Sequence, residues 1–312
     1  LGRHGSDEAN NAMHDCDLMI NIGARFDDRI TGKIDEFSPK SKKVHIDIDP
    51  SSINKNVKVD LPIIGDVAEV IASTIKTIKK TKPNFAKSNK QKISKWWEKI
   101  QKWRSIKSFD FVNSTETIKP QYAVQRLYEL TKNKDTYITT EVGQHQMWAA
   151  QHFTYKHPCT FVTSGGSGAM GYEVPGAMGA QVAAPDKTVW SIAGDGGFQM
   201  TMSELATIVE NNLPVKFAII NNNVLGMVHQ WQEFFYDKRY VATGYTANPD
   251  FVKLADAFGI KGLRVTDKVQ VRGAIEDAME HDGPVILDFV VEDEERVYPM
   301  IKAGGPIEDL VE

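Results

Sequence analysis

The chain has 312 residues, of which 41% are hydrophobic and 25% are charged, as is typical of a globular protein with about two domains. A formal net charge of −4 argues against general nucleic-acid binding, and no apolar run approaches the roughly 20 residues needed to span a bilayer. The two cysteines, Cys16 and Cys159, are far apart, so neither a disulfide framework nor a cysteine-rich metal site is expected.

Three short apolar runs in the first 80 residues predict buried strands. They are residues 17–22, 43–48 and 61–64, and residues 67–78 have the spacing of an amphipathic helix. Three strands with one or two helices are too few to close a doubly wound layer. We therefore expect residues 1–80 to be the second half of a domain whose first half lies upstream.

A basic stretch follows, with eleven Lys or Arg among the 29 positions of residues 79–107 and interleaved tryptophans. Basic residues with aromatics could bind nucleic acid. The spacing of Trp96, Ile100 and Trp103 instead fits one face of a helix, with the lysines on the solvated side. The pattern favours a basic linker over residues 81–115 that ends in a docking helix.

From about residue 116 onward, strand-like runs and helical stretches alternate regularly. The predicted strands are residues 136–140, 160–163, 188–193, 215–220, 262–265 and 285–291. The predicted helices are residues 120–131, 144–151, 175–184, 203–212, 249–258 and 269–281. Six strands that alternate with helices predict an α/β fold, a doubly wound parallel six-stranded sheet in a domain of residues 116–312.

Two of these strands end in polar residues that suit a metal. The strand at 188–193 leads into Gly-Asp-Gly-Gly, which contains Asp195, and the strand at 215–220 leads into three asparagines, of which Asn222 is the second. The helical stretch between them, with Ser203 as the expected N-cap, makes a βαβ unit with parallel strands. Their carboxyl ends therefore open on the same edge of the sheet, where such folds bind ligands.

Asp195 and Asn222 would together offer hard oxygen ligands at that edge. A carboxylate and an amide oxygen suit Mg²⁺, whose octahedral shell is completed by phosphate oxygens and water. Neighbouring glycines would let the backbone approach an anion closely. Asp-Gly turns and asparagine loops are common taken singly, but Gly-Asp-Gly, a helix and a strand-ending Asn-Asn together are more specific. The combination resembles the thiamine-diphosphate motif, in which the Asp and the second Asn bind the metal that holds the cofactor's diphosphate.

Longer blocks around this motif resemble the C-terminal half of the acetolactate synthase (acetohydroxyacid synthase) large-subunit family. They are residues 143–151 (GQHQMWAAQ), 163–166 (TSGG), 170–171 (MG), 179–181 (GAQ) and 226–231 (GMVHQW). Upstream, residues 23–32 (GARFDDRITG) and 45–50 (HIDIDP) resemble the FAD-binding segments of the same family. The blocks occur in the family's order and extend nearly from end to end.

The resemblance implies a carboligase that depends on thiamine diphosphate and Mg²⁺. Pyruvate would be decarboxylated and its two-carbon unit joined to pyruvate or 2-ketobutyrate, giving 2-acetolactate or 2-aceto-2-hydroxybutyrate for branched-chain amino acid biosynthesis. It also implies a thiamine-diphosphate-binding fold preceded by a partial Rossmann-like domain that binds FAD. A homodimer or homotetramer with a small regulatory subunit is expected, with no nucleic-acid or membrane partner, in the cytoplasm or in a plastid.

The same resemblance assigns residues to three sites. Asp195, Asn222 and the main-chain oxygen of Val224 would bind the metal. The thiamine-diphosphate site would comprise Val142, Gly143, Gln144, His145, Gly168, Met170, Gly194, Asp195, Gly196, Gly197, Asn222, Val224, Leu225, Gly226 and Met227. The FAD site would comprise Gly2, His4, Gly23, Ala24, Arg25, Asp27, Arg29, Asp47, Ile48, Asp66 and Val67.

Four residues would have catalytic roles by resemblance. Met170 would be an apolar wedge beneath the bent cofactor, and the Gly168 carbonyl would accept a hydrogen bond from its aminopyrimidine. Met227 belongs to the cofactor-contacting turn, and Trp231 would line the substrate channel and favour the larger acceptor. From the residues alone, Met170 and Trp231 could equally be core residues, because Met often fills cores and Trp231 lies on an apolar helical face.

Four positions depart from the usual family pattern, namely Ser167, Glu173, Gly176 and Lys302. Glu173 matters most, because a carboxylate beside a diphosphate site would repel it unless the side chain points away. The family's catalytic Glu comes from the N-terminal domain of a neighbouring subunit and has no substitute here, so we expect a fragment that is inactive by itself. The alternatives are a related thiamine-dependent decarboxylase or glyoxylate carboligase, and a non-catalytic scaffold that retains the fold.

Overall fold

A computed structural model describes residues 1–307 and 309–311. By their contacts these residues form two compact units. The first unit contains residues 1–110 and the described residues from Tyr298 onward, and the second unit contains residues 111–297. The division predicted above, at residues 80 and 115, stays a prediction about domains.

The first unit alternates helices with short parallel strands. Its elements are α1 (Asp7–Asp15), β1 (Leu18–Ile22), α2 (Asp28–Thr31), β2 (Lys42–Asp47), β3 (Leu61–Ile64), α3 (Val67–Thr81) and α4 (Phe85–Arg104). The strands form a parallel sheet in the order β1-β2-β3, with Ile20 opposite Val44. The strands predicted at 17–22, 43–48 and 61–64 are confirmed to within one residue at each end.

α3 begins with a side-chain cap. The Asp66 carboxylate accepts hydrogen bonds from the backbone N–H groups of Ala68 and Glu69, at 2.9 and 3.1 Å. These bonds satisfy two N–H groups that have no partner within the first turn. The helix ends at Thr81, a little beyond its predicted end at residue 78.

The basic stretch folds as α4, which begins well before the predicted aromatic face. The Trp96 and Trp103 rings meet edge to face with their centres 5.9 Å apart. Lys99 Nζ lies 4.8 Å from the centre of the Trp103 ring and 2.6 Å from an Asp15 carboxylate oxygen. The predicted helix is therefore confirmed, and it packs on α1 within the first unit.

The second unit contains the predicted α/β alternation. Its elements are α5 (Pro120–Thr131), β4 (Thr136–Thr140), α6 (Gln144–His152), β5 (Phe161–Thr163), α7 (Glu173–Ala183), β6 (Thr188–Gly194), α8 (Asp195–Thr201), α9 (Leu205–Glu210), β7 (Lys216–Asn221), α10 (Gly226–Phe235), α11 (Phe251–Ala257), β8 (Lys261–Val265), α12 (Lys268–Glu280) and β9 (Val285–Val290). The strands are all parallel, in the order β5-β4-β6-β7-β9-β8. The predicted six-stranded parallel sheet is confirmed, with each strand end within one residue. The predicted helices other than that at 203–212 are confirmed to within two residues at each end.

The central strand β7 is covered on both faces, which explains the four consecutive apolar residues at its centre. Phe217 and Ile219 face one hydrophobic cluster, where Phe217 meets Phe198 of α8 with ring centres 5.5 Å apart. Ala218 and Ile220 belong to the cluster on the opposite face. Successive side chains of a strand point to opposite faces, so alternate residues of β7 pack in separate cores. This packing on both faces fixes the position of the strand and of its ends.

The segment between β6 and β7 differs from the single helix predicted at 203–212. The chain enters α8 directly at Asp195, passes through a 3-10 turn at Met202–Glu204 and continues as α9. The prediction that Ser203 caps a helix is wrong, because Ser203 lies inside that turn. Phe198 is fully buried against β7, and this packing stabilises a helical turn before residue 203. The predicted helix was based only on the apolar residues within 203–212.

The described residues after Val297 return to the first unit. β10 (Met300–Ile301) pairs antiparallel with β11 (Leu310–Val311), and the Ile301 backbone N–H donates to the carbonyl oxygen of Arg3 at 3.1 Å. Within the part of the chain that the structure describes, no helix combines the length and the apolar character that crossing a membrane requires.

Candidate cofactor and metal site

The carboxyl ends of three neighbouring strands in the second unit surround one cleft. Val142 follows β4, Gly194 ends β6 and Asn222 follows β7. Because β4, β6 and β7 are adjacent and parallel, the loops that leave them lie side by side at one edge of the sheet. The predicted residues that line the cleft are Val142, Gly143, Gln144, His145, Met170, Gly194, Asp195, Gly196, Gly197, Asn222, Val224, Leu225, Gly226 and Met227.

Asp195 brings a carboxylate into this cleft and is only 2% exposed. Its Oδ1 accepts from the Gly196 N–H at 2.9 Å, and its Oδ2 accepts from the Asn223 N–H at 3.0 Å and from Asn248 Nδ2 at 2.7 Å. Burial raises the pKa of Asp195 to about 6, although these hydrogen bonds and nearby His145 oppose the rise. A carboxylate offers about four acceptor positions, so the three described donors leave one for a cation.

Asn222 lies at the neighbouring strand end and is 5% exposed. Its Nδ2 donates to Gln144 Oε1 at 3.2 Å, and its Oδ1 accepts from the Val224 N–H at 3.3 Å. The N–H of the next residue, Asn223, donates to Asp195. The structure therefore brings both predicted metal-binding side chains to one cleft.

Val224 adds a main-chain oxygen to the same wall. It pairs with Gly244 in an isolated antiparallel bridge, whose hydrogen bonds use the Leu225 N–H and the Asn223 carbonyl rather than the Val224 carbonyl. A carboxylate, a side-chain amide oxygen and a main-chain oxygen are hard ligands that fit Mg²⁺. Across residues 1–307 and 309–311, no three His, Cys, Asp or Glu side chains form a group that could hold a metal.

Two glycines of the cleft let neighbouring side chains pack closely against the backbone. A Cβ at Gly196 would lie 2.2 Å from the Tyr245 hydroxyl oxygen, and a Cβ at Gly226 would lie 2.0 Å from Gln144 Oε1. These distances are too short for any residue with a side chain, so only glycine fits without rearrangement. The missing Cβ atoms therefore make room for Tyr245 and Gln144 beside the cleft.

Two helices begin at the cleft. α6 follows Gly143 and α10 follows Leu225, and neither helix has a side-chain cap on its first turn. The first N–H groups of a helix have no partner within it, and the macrodipole gives this end a partial positive charge. Both features favour binding of a phosphate group at this wall.

Glu141 was not predicted but shapes the cleft through His145. It is 1% exposed, its Oε2 accepts from the Val142 N–H at 2.8 Å, and its Oε1 lies 3.1 Å from His145 Nε2. A Cβ at Gly197 would lie 2.0 Å from Glu141 Oε1, so glycine makes room for this carboxylate. Its place directly after the strand predicted at 136–140 is the signal that could have identified it.

Glu173 is fully buried at the start of α7 and is not among the residues that line the cleft. Neither of its carboxyl oxygens has a hydrogen-bond partner among the described residues. Burial, together with the charge of Glu141, raises the pKa of Glu173 to about 8. The side chain is therefore mostly protonated at neutral pH, and the repulsion of diphosphate expected from the sequence does not operate.

The predicted catalytic residues lie in two adjoining places. Met170 and Met227 line the cleft itself. Gly168, with φ of 65°, lies near it, since a Cβ at Gly168 would be 3.8 Å from Val142. Trp231 lies one helical turn after Met227 on α10. Both residues line a groove next to the cleft.

The residues predicted to bind FAD lie in the first unit. Gly23 follows β1, Asp47 ends β2 and Asp66 follows β3, so these three share the carboxyl edge of the parallel sheet. Gly2 and Arg29 lie against each other, because a Cβ at Gly2 would be 2.4 Å from the Arg29 carbonyl oxygen. The other predicted positions in this unit are His4, Ala24, Arg25, Asp27, Ile48 and Val67.

Two of the first unit's predicted residues have marked electrostatic environments. Burial lowers the pKa of His4 to about 4, and its Nδ1 lies 3.1 Å from the Pro299 carbonyl oxygen. The Asp27 carboxylate pairs with the guanidinium groups of Arg25 and Arg29. Ile48 is 69% exposed and follows β2.

Asn248 and Tyr245 also reach the cleft but were not predicted. Asn248 Nδ2 lies 3.1 Å from Asn221 Oδ1 in addition to its bond with Asp195. Burial raises the pKa of Tyr245 to about 12, with the charges of Asp195 and Glu141 adding to the effect. Both residues come from the irregular segment after α10, which has no periodic pattern or motif that could have marked them.

Two family models match the chain. Residues 1–74 match the thiamine pyrophosphate enzyme central domain, and residues 141–289 match the thiamine pyrophosphate enzyme C-terminal TPP binding domain. The second match contains all the residues that line the cleft.

Curated relatives are similar to nearly the whole chain. The acetolactate synthase large subunit of Porphyra purpurea is 44% identical over 97% of the chain and 50% of its own length. For a probable acetolactate synthase large subunit of Methanococcus aeolicus the values are 42%, 100% and 53%, and for the isozyme 3 large subunit of Escherichia coli they are 38%, 99% and 54%. The chain thus spans about half the length of the curated relatives it matches. The family predicted from the sequence is confirmed, and the chain belongs to the acetolactate synthase large-subunit family of thiamine pyrophosphate enzymes.

Proposed function

We propose that the chain is part of a carboligase that depends on thiamine diphosphate and Mg²⁺. It would decarboxylate pyruvate and join the two-carbon unit to pyruvate or 2-ketobutyrate, giving 2-acetolactate or 2-aceto-2-hydroxybutyrate. The observation that carries the proposal is the meeting of Asp195, Asn222 and Val224 at one cleft, within the segment that matches a TPP binding domain. The similarity to acetolactate synthase large subunits supports the reaction type.

The metal and the diphosphate would be held by different parts of the cleft. Asp195, Asn222 and the Val224 carbonyl would bind Mg²⁺ through oxygen. The first-turn N–H groups of α6 and α10 would donate to diphosphate oxygens. His145, whose Nε2 lies beside the Glu141 carboxylate, would supply a further donor.

Thiamine diphosphate, when bound, would supply the electron sink for decarboxylation. The chain's own residues would bind and orient it and exclude water. Met170 would support the bent cofactor as an apolar wedge, and the Gly168 carbonyl would accept a hydrogen bond from its amino group. Met227 and Trp231 would line the path of the substrate, with Trp231 favouring the larger acceptor.

We also propose that the first unit binds FAD at the carboxyl edge of its three-stranded sheet. Strand-end glycines and acids such as Gly23, Asp47 and Asp66 suit a dinucleotide. Because the net reaction needs no redox step, the flavin would have a mainly structural role. Flavin absorbance in the purified full-length protein tests this proposal, and colourless protein that stays colourless after incubation with FAD would contradict it.

The full-length protein is proposed to be a homodimer or homotetramer with a small regulatory subunit. The relatives are named as large subunits, which supports a small partner. A neighbouring subunit would contribute the catalytic Glu of its N-terminal domain. A cytoplasmic or plastid location goes with this assignment.

The decisive experiment is a product assay on the full-length protein that contains this chain. Pyruvate, thiamine diphosphate and Mg²⁺ are supplied with and without 2-ketobutyrate, and the products are identified by mass spectrometry. With pyruvate alone, we expect 2-acetolactate as the only product. With both ketoacids present, we expect a mixture of 2-acetolactate and 2-aceto-2-hydroxybutyrate. Acetaldehyde, or a product formed only from glyoxylate, would instead favour a related decarboxylase or glyoxylate carboligase.

The alternative that is not an enzyme is a non-catalytic scaffold that retains the fold. Calorimetric titration of the chain with thiamine diphosphate, with and without Mg²⁺, separates it from an enzyme. A scaffold has no metal-dependent binding, whereas the proposed site requires it. Glu173, whose departure from the family pattern gives a scaffold some support in the sequence, is buried outside the cleft lining and so does not support that alternative.

A further inference from the structure

A buried relay of side-chain amides leads from Asn222 to the backbone near the end of the second unit. Gln230 of α10 is fully buried, and Gln144 at the start of α6 is 3% exposed. The proposed function assigns no role to Gln230. Its hydrogen bonds, however, determine how the side-chain amide of Asn222 is oriented.

The orientation of Gln230 is set by the backbone of Val297. The Val297 N–H donates to Gln230 Oε1 at 2.9 Å, and Gln230 Nε2 donates to the Val297 carbonyl oxygen at 2.9 Å. A backbone N–H can only donate and a carbonyl can only accept. The oxygen and nitrogen of this amide, which are often interchangeable in a structure, therefore have one allowed arrangement.

The hydrogen bond with Gln230 determines the orientation of the Gln144 side-chain amide. Gln144 Nε2 donates to Gln230 Oε1 at 2.9 Å and to the Glu295 carbonyl oxygen at 3.0 Å. Both partners are acceptors, so the nitrogen of Gln144 must face them. The oxygen of Gln144 is then left to face Asn222.

Asn222 is the last member of the relay. Its Nδ2 donates to Gln144 Oε1 at 3.2 Å, which leaves Oδ1 on the other side of the amide, where it accepts from the Val224 N–H. The reverse orientation would set two oxygens against each other at Gln144. It would also turn an N–H group, which has no free lone pair, toward any cation.

We propose that Gln230 and Gln144 are positioning residues that make Asn222 present its oxygen to the metal. This inference rests on the proposed function, because it requires Asn222 to be a ligand of Mg²⁺. Residues that orient metal ligands from outside the first coordination shell commonly alter metal affinity about 10-fold to 100-fold when they are changed.

The test uses Gln230→Met, whose unbranched side chain has a similar length but no hydrogen-bonding group. The chain is titrated calorimetrically with Mg²⁺ at saturating thiamine diphosphate, and circular dichroism checks that it is folded. We expect the affinity for Mg²⁺ to fall about 10-fold or more. The matched control is Gln181→Met, which removes a buried glutamine on α7 that donates to the carbonyls of Ala184 and Pro185, away from the cleft. Its affinity should stay within about twofold of the original chain.

A second change separates orientation from mere support of the fold. In the Gln230→Met background, Asn222→Asp supplies a carboxylate that has oxygen in either orientation. We therefore expect the double variant to regain most of the lost affinity for Mg²⁺. With Asn222→Asp alone as the reference, a purely structural role of Gln230 predicts the same loss of affinity in both backgrounds, whereas an orienting role predicts almost no loss when Asn222→Asp is present. If Gln230→Met does not fold, Gln230→Leu with the same comparison serves instead, because it removes the same hydrogen bonds from a residue outside the cleft lining.

The outcomes distinguish this inference from the proposed function. Absence of metal-dependent binding in the unaltered chain would overturn both. Binding by the unaltered chain that Gln230→Met leaves unchanged, or a loss that Asn222→Asp does not restore, would overturn the relay alone.

Discussion

The two parallel sheets of this chain differ in how completely their faces are covered. Along β7 of the second unit every residue is buried. Along β1 of the first unit, exposed and half-buried residues alternate, and Leu18, Ile20 and Ile22 are 51%, 54% and 44% exposed. Both strands are apolar runs in the sequence, so the pattern predicts a strand in each case. Burial of the second face depends instead on what other elements pack against it.

Three acids show how burial and ion pairing shift pKa values in opposite directions. In the second unit, Glu173 and Asp195 are deeply buried and their pKa values are raised by loss of water. In the first unit, Asp15 is an acid on the surface whose pKa is lowered to about 2 by Lys99 and Lys40. Burial therefore raises the pKa values of the two acids in the second unit, whereas ion pairing lowers that of the surface acid in the first.

The largest expected effect is on the stability of the covered sheet. Phe217→Ala should lower the free energy of unfolding by about 3 to 5 kcal/mol, because it removes a fully buried ring from the core. Ile20→Ala, on the uncovered sheet, should cost less than about 1 kcal/mol. Urea unfolding followed by circular dichroism measures both. Equal losses would break the comparison, because Ile20 would then have to be covered in solution.

The next effect concerns the proposed metal site. Asp195→Ala should weaken thiamine diphosphate binding in the presence of Mg²⁺ by more than about 100-fold, since even indirect changes at metal sites cost up to that much. Asp47→Ala, at the carboxyl edge of the other sheet, is the matched control and should leave this affinity unchanged. Calorimetric titration of the chain reads both. Similar losses in the two variants would argue against a site confined to the second unit.

Glu173 provides a test by pH. Its folded pKa of about 8 lies above the ordinary value of 4.5, so the folded chain binds more protons than the unfolded chain between these values. The free energy of unfolding should therefore fall as pH rises through this window. Glu173→Gln should remove this fall and stabilise the chain by up to about 4 kcal/mol relative to the original chain near pH 8. Urea unfolding at several pH values measures the free energy of unfolding of both proteins. If Glu173→Gln has the same dependence on pH as the original chain, the raised pKa of Glu173 is contradicted.

Asp15 of the first unit should show the opposite sign. Its folded pKa of about 2 lies below the ordinary 3.8, so its contribution to stability is present above 3.8 and is lost as pH falls toward 2. Lys99→Met removes one partner and should cost at most about 1 kcal/mol, because the pair is partly exposed. The cost should shrink in high salt. A loss that salt does not change would point to packing rather than charge.

Much of the site could be predicted because it lies at strand ends. The βαβ unit around Asp195 and Asn222 follows from two apolar runs and a crossover, and the structure brings both side chains to one cleft. Glu141 also lies directly after a predicted strand and was missed only because no motif includes it. Asn248 and Tyr245 belong to an irregular segment, where no pattern relates sequence position to location in space.

The sequence by itself determined the order of strands and helices in both units, because apolar periodicity is a local property. It also determined the family, through long motif blocks in the right order. Only the tertiary structure decided which sheet is covered on both faces, that Glu173 is buried and neutral, and that Gln230 meets Val297. These properties depend on contacts between residues far apart in the chain, and the amino-acid pattern around each residue carries no record of its distant partner.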